Sequence, residues 1–482
     1  MSVTISEISV AFEGEISGVG ELTWGQAGIW RQMRETGRTM NVVVGMALPA
    51  GVPVEEMTAA LGFVVGRHAA LRTRLRFAGD PSEGRLPQQV VAASGELPLQ
   101  ILDIDDAEDP EAVAEELRSR YELTPFDYEH EFPVRMGVVR RAGQLLRMVA
   151  GYHHLVTDGA GLEALGRDTF NLDRSTFQAV APPQVLDPLK LAAAQGGPRG
   201  RAQNDKCLRY WAAQLDRLPD WRIVEPADSP RPRYRELAVY SPAMELSLRA
   251  IAARTKVASN YVLFAAYAVA VARVLGRNPN VVQPVVSNRF RPGFAGTVSQ
   301  VSQQGICVID VADASFDEVV GRAWNAATNA SLHAYYDPRD RDRLLAQTEA
   351  RRGAPLDVAW HLNDRRNMSV SGTQFEQNPL SEAELRAALK DALPRTKMYW
   401  DRGSSNFDGT LFLQVDSRPE TDIPGRAELD EGLPAVFMGI WTDMQHFAPE
   451  QIEGFVREME AVVAAAAFDA ALPTGVSVPA TL

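Results

Sequence analysis

Hydrophobic positions recur along this chain with two different periods. A helix is predicted over 54–67, where apolar residues return at the spacing of one helical face. Two strands are predicted within 133–152, because two apolar runs are separated by a polar turn at 140–143. A very apolar helix is predicted to end at Gly276, and a strand follows it at 281–287. The remaining predicted helices begin near Leu22, Leu208, Ser247 and Pro449.

Helices and strands alternate in both halves of the sequence, a pattern typical of an α/β protein. Between the halves, 182–201 contains prolines and glycines with little periodicity, which favours a linker. We therefore predict two units, over 1–180 and 206–482, joined by a linker at 181–205.

Composition and charge exclude several classes of function. The 482 residues suffice for a large core without disulfides or a structural metal, and the two cysteines fit a reduced cytoplasm. A formal charge of −13 disfavours nucleic-acid binding, because phosphate binding requires a basic face. No signal peptide is expected, and the longest apolar stretch, 261–275, is too short to span a bilayer. We expect a cytoplasmic protein with no nucleic-acid or membrane partner.

The stretch GYHHLVTDGAG carries the candidate chemistry. The chain has only seven histidines, and two of them, His153 and His154, stand next to each other before Asp158 and Gly159. Neighbouring side chains on a strand point to opposite faces, so only one of the two histidines faces a given cavity. An imidazole there can take a proton from an attacking hydroxyl or amine, while Gly159 lets the chain turn sharply. Asp158 either orients the imidazole, as in a catalytic triad, or holds the loop through a buried arginine, which we favour.

Other interpretations of these residues are weaker. A lone buried histidine is more often structural than catalytic. A metal site is disfavoured, because adjacent histidines on a strand diverge and no His-Glu-x-x-His helix is present. A serine or cysteine nucleophile is weaker still, since there is no Gly-x-Ser-x-Gly elbow and neither Cys207 nor Cys307 lies near a histidine in sequence.

The motif His-His-x-x-x-Asp-Gly resembles the signature of condensation domains of nonribosomal peptide synthetases and of their acyltransferase relatives. Four further segments agree with that family in order and spacing. They are LTWGQAGIW at 22–30, RHAALRTRL at 67–75, RYWAAQL at 209–215 and VSNR at 286–289. The resemblance runs from about Gly20 to the end, so the chain is identified as a member of this family.

The resemblance implies a pseudo-dimer of two chloramphenicol-acetyltransferase-like halves, arranged as a V with a tunnel at their interface. A carrier-bound thioester on a phosphopantetheine arm enters the tunnel from one face, and the acceptor enters from the other. The half over 1–180 carries the histidine motif, and 206–482 forms the second half. No permanently bound cofactor is implied, because the carrier presents the substrate on its own phosphopantetheine.

The resemblance also implies roles for individual residues. His154 is the catalytic residue, and His153 shapes the site. Asp158 pairs with Arg289 to hold the loop, with Arg291 as the alternative partner. Gly159 keeps the turn tight, with its N–H near the reacting carbonyl. The implied site residues are His153, His154, Asp158, Gly159 and Arg289.

Two segments depart from the family's pattern. DPLKLAAAQ at 187–195 stands where a Tyr-x-Asp-Tyr/Phe-x-x-Trp motif is expected, and VSQVSQQG at 298–305 replaces a Gly-x-Phe-x-Asn-Thr segment. These differences predict an acceptor other than the ordinary peptide chain, with an unusual donor as a further alternative. The charged run DPRDRDR at 337–343 is interpreted as a solvated loop, with carrier docking as the alternative.

We expect a free-standing condensation enzyme acting on separate acyl or peptidyl carrier proteins, since no adenylation, carrier or thioesterase signature flanks the domain. It transfers an acyl or aminoacyl group from the carrier thioester to an amine or alcohol, which is a small molecule or sits on a second carrier. The product is an amide or ester in natural-product biosynthesis. A coenzyme-A-dependent acyltransferase and a non-catalytic carrier-binding scaffold are the alternatives. An epimerisation domain shares the histidine motif but fits less well at 67–75.

Overall fold

A computed structural model describes most of the chain and divides it into two compact units. The described residues are 3–79, 85–173, 175–182, 186–219, 230–366, 380–407, 409–417 and 432–477. Unit 1 comprises Met1–Asn204 and Ser287–Gln303, and unit 2 comprises Asp205–Val286 and Gln304–Leu482. A short segment from the second half of the sequence therefore belongs to the unit formed by the first half.

Unit 1 combines two sheets with helices. Its strands are β1 (Thr4–Glu13), β2 (Gly18–Glu21), β3 (Asn41–Ala47), β4 (Thr73–Arg76), β5 (Gln88–Val91), β6 (Ser94–Ile104), β7 (Val134–Arg141) and β8 (Gln144–His153). Its helices are α1 (Trp24–Thr36), α2 (Val54–Arg67), α3 (Pro110–Leu123), α4 (Gly159–Thr169) and α5 (Pro188–Gly196). One sheet has the order β1-β6-β7-β8-β3 and the other the order β2-β5-β4.

Strand β8 lies between β7 and β3 and is buried on both faces, which explains its nearly continuous apolar sequence. On one face Val149 packs with Leu117 of α3. On the other face Ala150 and Tyr152 pack into a cluster that includes Leu61 of α2. This double burial fixes the register of the strand, so its last residue is placed by the core and not by the loop that follows.

Unit 2 is built on one large mixed sheet covered by helices. Its strands are β9 (Tyr234–Ser241), β10 (Asn280–Val286), β11 (Gln303–Gln304), β12 (Cys307–Ile309), β13 (Trp360–Asp364), β14 (Lys397–Ser404), β15 (Leu411–Asp416) and β16 (Val436–Asp443). Its helices are α6 (Pro198–Leu215, entering from unit 1), α7 (Pro242–Thr255), α8 (Ser259–Leu275), α9 (Phe316–Leu332), α10 (Pro338–Arg352), α11 (Glu382–Ala392) and α12 (Pro449–Ala466). The sheet order is β11-β10-β13-β15-β16-β9-β14, with β12 paired to β10.

Helix α8 forms the centre of the unit 2 core. Every residue from Val262 to Ala272 is buried, and the helix ends at Gly276, whose φ of 67° suits a residue without Cβ. In the described residues, no helix alone has the length and apolar character to cross a membrane. The bent pair α7 and α8, at 111°, reaches both criteria only when the two are taken together.

The predicted α/β class is confirmed, and most predicted elements form where the pattern placed them. Helix α2 has the predicted bounds, and β7 and β8 flank the predicted turn. Helix α1 begins slightly later than predicted, because Thr23 caps it and forms a reciprocal capping box with Gln26.

Two local predictions differ from the structure. The predicted linker at 181–205 contains helix α5, because Asp187 caps its first turn and Pro188 preorganises the first helical position; 183–185 lie outside the described residues. The prediction of a loop at 337–343 is wrong. That run opens helix α10, with Asp337 as the cap and Arg343 paired to Asp340 one turn away.

The segment RHAALRTRL ties α2 to α4 through buried polar contacts within unit 1. Arg67 donates Nε and Nη2 to the two carboxylate oxygens of Asp168, each at 2.9 Å. The Nε2 of His68 lies 2.9 Å from Asp168 Oδ2. Burial acts to raise the pKa of Asp168, but its hydrogen bonds to His68 and Arg67 outweigh burial and hold that pKa well below its usual range. These contacts fix α4, whose first turn closes the histidine motif.

Replacing Asp168 by asparagine keeps the side-chain shape and removes the charge that pairs with Arg67. We expect the free energy of unfolding to fall by about 3–5 kcal/mol at neutral pH. Because the folded pKa of Asp168 is lowered, this contribution is complete above the unfolded value of about 3.9 and is lost as the pH falls below it. Urea unfolding of wild type and Asp168→Asn between about pH 7 and pH 3 measures the difference. A difference that does not shrink in acid contradicts the assignment.

Candidate active site

The His-His-x-x-x-Asp-Gly motif forms a tight connection between β8 and α4. His153 is the last residue of β8, and its carbonyl accepts the N–H of Val156 at 3.2 Å. Leu155 and Val156 are both 1% exposed and pack in the unit 1 core, which fixes the turn to that core. His154 is half-buried just before these anchors. The turn therefore presents His154 on a short backbone that is held at both ends.

The ring of His154 is oriented by a backbone carbonyl. Its Nδ1 lies 2.8 Å from the carbonyl oxygen of Thr157. Because a carbonyl oxygen only accepts hydrogen bonds, Nδ1 carries the proton in the neutral imidazole, and Nε2 keeps its lone pair. The arrangement leaves Nε2 as a proton acceptor, which is the state a general base requires.

Asp158 is a buried carboxylate, 2% exposed, that accepts hydrogen bonds on both oxygens. Its Oδ1 accepts the N–H of Gly161 at 2.8 Å and so caps helix α4. Its Oδ2 accepts the N–H of Val301 at 3.2 Å, and the N–H and Oγ–H of Ser302 at 3.1 and 2.7 Å. A negative charge at a helix N-terminus is also favoured by the helix dipole.

Arg289 completes the environment of this carboxylate. Its Nη2 lies 2.7 Å from Asp158 Oδ1 and its Nη1 lies 2.9 Å from Oδ2, a two-pronged contact. Nη2 also donates to the carbonyls of Thr297 and Ser299, each at 3.2 Å. Arg291, the alternative partner from sequence, donates its Nε to Asn288 Oδ1 at 2.9 Å instead.

These contacts decide between the two tasks considered for the carboxylate. Neither oxygen of Asp158 hydrogen-bonds to an imidazole within the described part of the chain; both are held by Arg289 and by backbone and hydroxyl donors. Asp158 therefore holds the loop, and it reaches His154 only through the backbone of the turn that includes Thr157.

His153 points away from its neighbour into the unit 1 core. It is 1% exposed, and its ring meets those of Phe126 and Tyr128 edge-on at centroid distances of 5.3 and 5.4 Å. Burial lowers the pKa of His153 to about 3, so this ring is neutral at physiological pH. The two rings thus have different surroundings, and His154 lies in the turn that follows β8 and not on the strand itself.

The motif contains a glycine that sequence reasoning missed. Gly159 is exposed and starts α4 without a positive φ, and the role suggested for its N–H stays a prediction. At Gly161, by contrast, a Cβ would lie 2.4 Å from Thr157 Oγ1 and 3.3 Å from Asp158 Oδ1. Gly161 is therefore the position that requires the absence of a side chain. The repeated glycine of DGAG is the only signal that the sequence offers for it.

Ser302 and Val301 were also missed, because they lie 144 and 143 residues beyond Asp158. Both belong to VSQVSQQG, the segment interpreted above only as a departure from the family's pattern. The preceding Gln300 is fitted closely to α1, since a Cβ on Gly25 would lie 2.3 Å from the Gln300 carbonyl oxygen. The glycine of LTWGQ thus makes room for the segment that supports Asp158.

The other departure, DPLKLAAAQ, supports the start of the same helix. Gln195 of α5 accepts the backbone N–H of Trp24 through its Oε1 at 2.9 Å, which satisfies one of the free N–H groups at the first turn of α1. This segment therefore has a structural role within unit 1.

A metal centre or a reactive thiol finds no support among the described residues. No group of three or more His, Cys, Asp or Glu side chains is arranged there to hold a metal ion. Cys207 and Cys307 are both buried, and burial raises the pKa of the Cys307 thiol far above its usual range, which suppresses its thiolate.

Comparison with known proteins identifies relatives over most of the chain. The family model described as "Condensation domain" matches residues 16–387. A polyketide synthase-nonribosomal peptide synthetase from Aspergillus clavatus is 28% identical over 200 residues, which are 41% of this chain and 5% of that protein. The chain thus spans only a small part of that relative's length.

Two solved structures share the fold over nearly the whole chain. The condensation domain from the monacolin K polyketide synthase MokA has a TM-score of 0.68 at 15% identity, covering 96% of this chain and 100% of that one. A complex of the X-domain and OxyB from teicoplanin biosynthesis gives 0.67 at 16% identity, covering 96% of each chain. At these identities the likeness establishes the fold.

Replacing His153 by leucine tests the burial of its neutral ring. Since neither ring nitrogen has a hydrogen-bond partner within the described chain, we expect a cost below about 1.5 kcal/mol at about pH 8. As the pH falls below about 6.5, the unfolded imidazole binds a proton that the folded one excludes, so wild type loses stability by up to about 1.4 kcal/mol per pH unit. Denaturant titrations at several pH values should show a shallower pH dependence for His153→Leu. Equal slopes would refute the burial of a neutral ring.

Removing Arg289 leaves the Asp158 charge buried without its cation. We expect Arg289→Met to lower the free energy of unfolding by about 3–5 kcal/mol. Ser302→Ala serves as the matched control, because it removes one donor to the same carboxylate and should cost about 1.5–3 kcal/mol. Chemical denaturation ranks the two variants, and a larger loss for Ser302→Ala contradicts the central place of Arg289.

Proposed function

Because this chain belongs to the condensation-domain family of nonribosomal peptide and hybrid polyketide synthetases, we propose that it is an acyltransferase with His154 as its general base. It moves an acyl or aminoacyl group from a phosphopantetheine thioester to an amine or alcohol and forms an amide or ester. The observation that carries the proposal is the His154 ring, with Nδ1 fixed on the Thr157 carbonyl and Nε2 left as the acceptor.

The proposed step balances without any further reactant. The acceptor nitrogen or oxygen attacks the thioester carbon while its proton passes to Nε2 of His154. The carbon–sulfur bond then breaks, and the leaving thiolate takes the proton back from the imidazolium. The histidine returns to its neutral state with the proton on Nδ1. For an amine acceptor, the same Nε2 removes the proton from the zwitterionic intermediate or stabilises that intermediate.

The finer parts of the proposal concern the donor. We place the thioester on the phosphopantetheine arm of a separate carrier protein, so that the enzyme itself needs no resident cofactor. Thioester aminolysis is favourable, and positioning two reactants can supply much of the rate, which suits a rigidly held histidine.

The second candidate is a binding protein without catalysis. The similarity to an X-domain solved in complex with OxyB favours it, while the intact His154 geometry favours the enzyme.

A pair of variants at position 154 separates the chemistry from the fold. His154→Asn keeps a donor near the position of Nδ1, where it can still reach the Thr157 carbonyl, and removes Nε2. His154→Ala removes both. Mutating a general base typically costs about 100- to 10,000-fold in rate, so we expect both variants to fold and to lose transfer by that factor.

The assay follows acyl transfer by intact-protein mass spectrometry. Separately purified carrier proteins, loaded with a panel of acyl and aminoacyl groups, are offered with candidate amines and alcohols, and coenzyme A thioesters form a parallel arm. Carrier offloading by wild type and not by the folded variants supports the proposal. Transfer only from coenzyme A thioesters overturns the carrier donor, and equal rates in all three proteins overturn the role of His154. Tight carrier binding without transfer from any donor supports the binding protein.

A further inference from the structure

The segment that carries Arg289 is held in place by the residue before it. Asn288 is fully buried and has a φ of 57°, in the left-handed region that few residues other than glycine and asparagine adopt. It directly follows the end of β10 and Ser287, and its carbonyl accepts the N–H of Arg291 at 3.0 Å. The chain therefore turns sharply here.

The Asn288 side chain closes the segment on itself. Its Nδ2 donates to the carbonyl of Val301 at 3.0 Å, 13 residues along the chain. Its Oδ1 accepts the Nε–H of Arg291 at 2.9 Å. The side-chain amide of Asn288 thus bonds to Arg291 in the turn and to Val301 near the end of the same segment.

The residue reached by Asn288 is itself a donor to the site carboxylate. The N–H of Val301 donates to Asp158 Oδ2, while the Val301 carbonyl accepts from Asn288. Arg289, next to Asn288, contacts both oxygens of the same carboxylate. Asn288 therefore sets the spacing between the two groups of donors that hold Asp158.

From these contacts we propose that Asn288 is a positioning residue for His154. It acts through Val301 and Arg289 on Asp158, and through the backbone of the turn on the Thr157 carbonyl that orients the ring. The role rests on the proposed function only where it predicts a rate. The predicted geometry of the ring and of the Val301 N–H stands independently of any reaction.

Asn288→Gly separates the side chain from the backbone, because glycine adopts the left-handed conformation without strain. Asn288→Asp is the second variant: it keeps the acceptor for Arg291 and tolerates the same φ, and it loses the donor to Val301. The matched control is Ala142→Gly. Ala142 is exposed in the β7–β8 turn, at the opposite end of β8 from His153, and has a φ of 48°.

Two measurements need no substrate. Hydrogen exchange followed by mass spectrometry should show the Val301 and Ser302 amides exchanging about tenfold faster or more in both Asn288 variants, with α8 of unit 2 unchanged. Nitrogen NMR of histidine-labelled protein, assigned with His154→Asn, should show a smaller fraction of the Nδ1-protonated tautomer at His154. Ala142→Gly should match wild type in both.

The third measurement is the rate of transfer under the proposed function. Misplacing His154 should lower kcat by about 10- to 100-fold and leave KM for the donor within about twofold, since Asn288 touches no substrate in this scheme. If both Asn288 variants match Ala142→Gly in exchange and in tautomer, the positioning role is overturned. A wild type without transfer activity removes the proposed function, while exchange and tautomer still decide the role of Asn288. If the Asn288 variants also exchange faster throughout α8, the positioning role is overturned, because the substitutions then lower the stability of the whole protein.

Discussion

The site depends on one buried charge. Moving a carboxylate out of water costs several kcal/mol unless a cation and hydrogen bonds replace its hydration. Asp158 meets that condition through Arg289, Ser302, Val301 and Gly161, which occupy both of its oxygens. Because Arg289, Val301 and Ser302 lie in one segment and Gly161 in the first turn of α4, the carboxylate links that segment to the helix. Asp158 is also the last residue of the turn between β8 and α4, so the same contacts hold this turn in place. His154 lies on the turn.

The same interaction joins the two parts of unit 1 that are separate in sequence. Ser287–Gln303 belongs to unit 1, although the chain on either side of it belongs to unit 2. Arg289 and Ser302 lie near the two ends of this segment and converge on one carboxylate. The predicted boundaries at 180 and 206 treat the halves as continuous, because linker composition reports only where a chain is poor in regular structure. Composition contains no information about a segment that returns to the other unit.

Patterns that act over a few residues were readable in the sequence. The helical spacing of 54–67 and the polar turn between two apolar runs at 140–143 reflect local burial, and the burial of His153 follows from its place on β8. Contacts between segments that are distant in sequence could not be predicted from these local patterns. Ser302 was seen only as a departure from a pattern, and Gly161 was overlooked beside Gly159, because the space that excludes a side chain is made by Thr157 in the folded turn.

Charge density gave a misleading signal in one place. The charges at 337–343 favour a solvated loop, yet Arg343 pairs with Asp340 at helical spacing and the backbone is helical. One of these arginines, Arg341, is 5% exposed, and its guanidinium carbon lies 5.6 Å from the centroid of the Trp211 ring. A charged sequence therefore does not imply a solvated one, since the alkyl part of arginine packs as an apolar group while its guanidinium meets a ring.

The partner of His154 Nδ1 bears on the kind of catalysis proposed here. In a serine triad, a carboxylate on that nitrogen stabilises the imidazolium formed when the base accepts a proton. In this chain the carboxylate is committed to Arg289, and Nδ1 meets the neutral carbonyl of Thr157. A carbonyl fixes the tautomer and the ring plane but stabilises the positive charge less. Such a histidine is better suited to a nucleophile that needs alignment and the removal of one proton than to a poor nucleophile that needs strong activation. Under the proposed function, we therefore expect alignment by the Asp158 network to contribute more to the rate than stabilisation of the imidazolium.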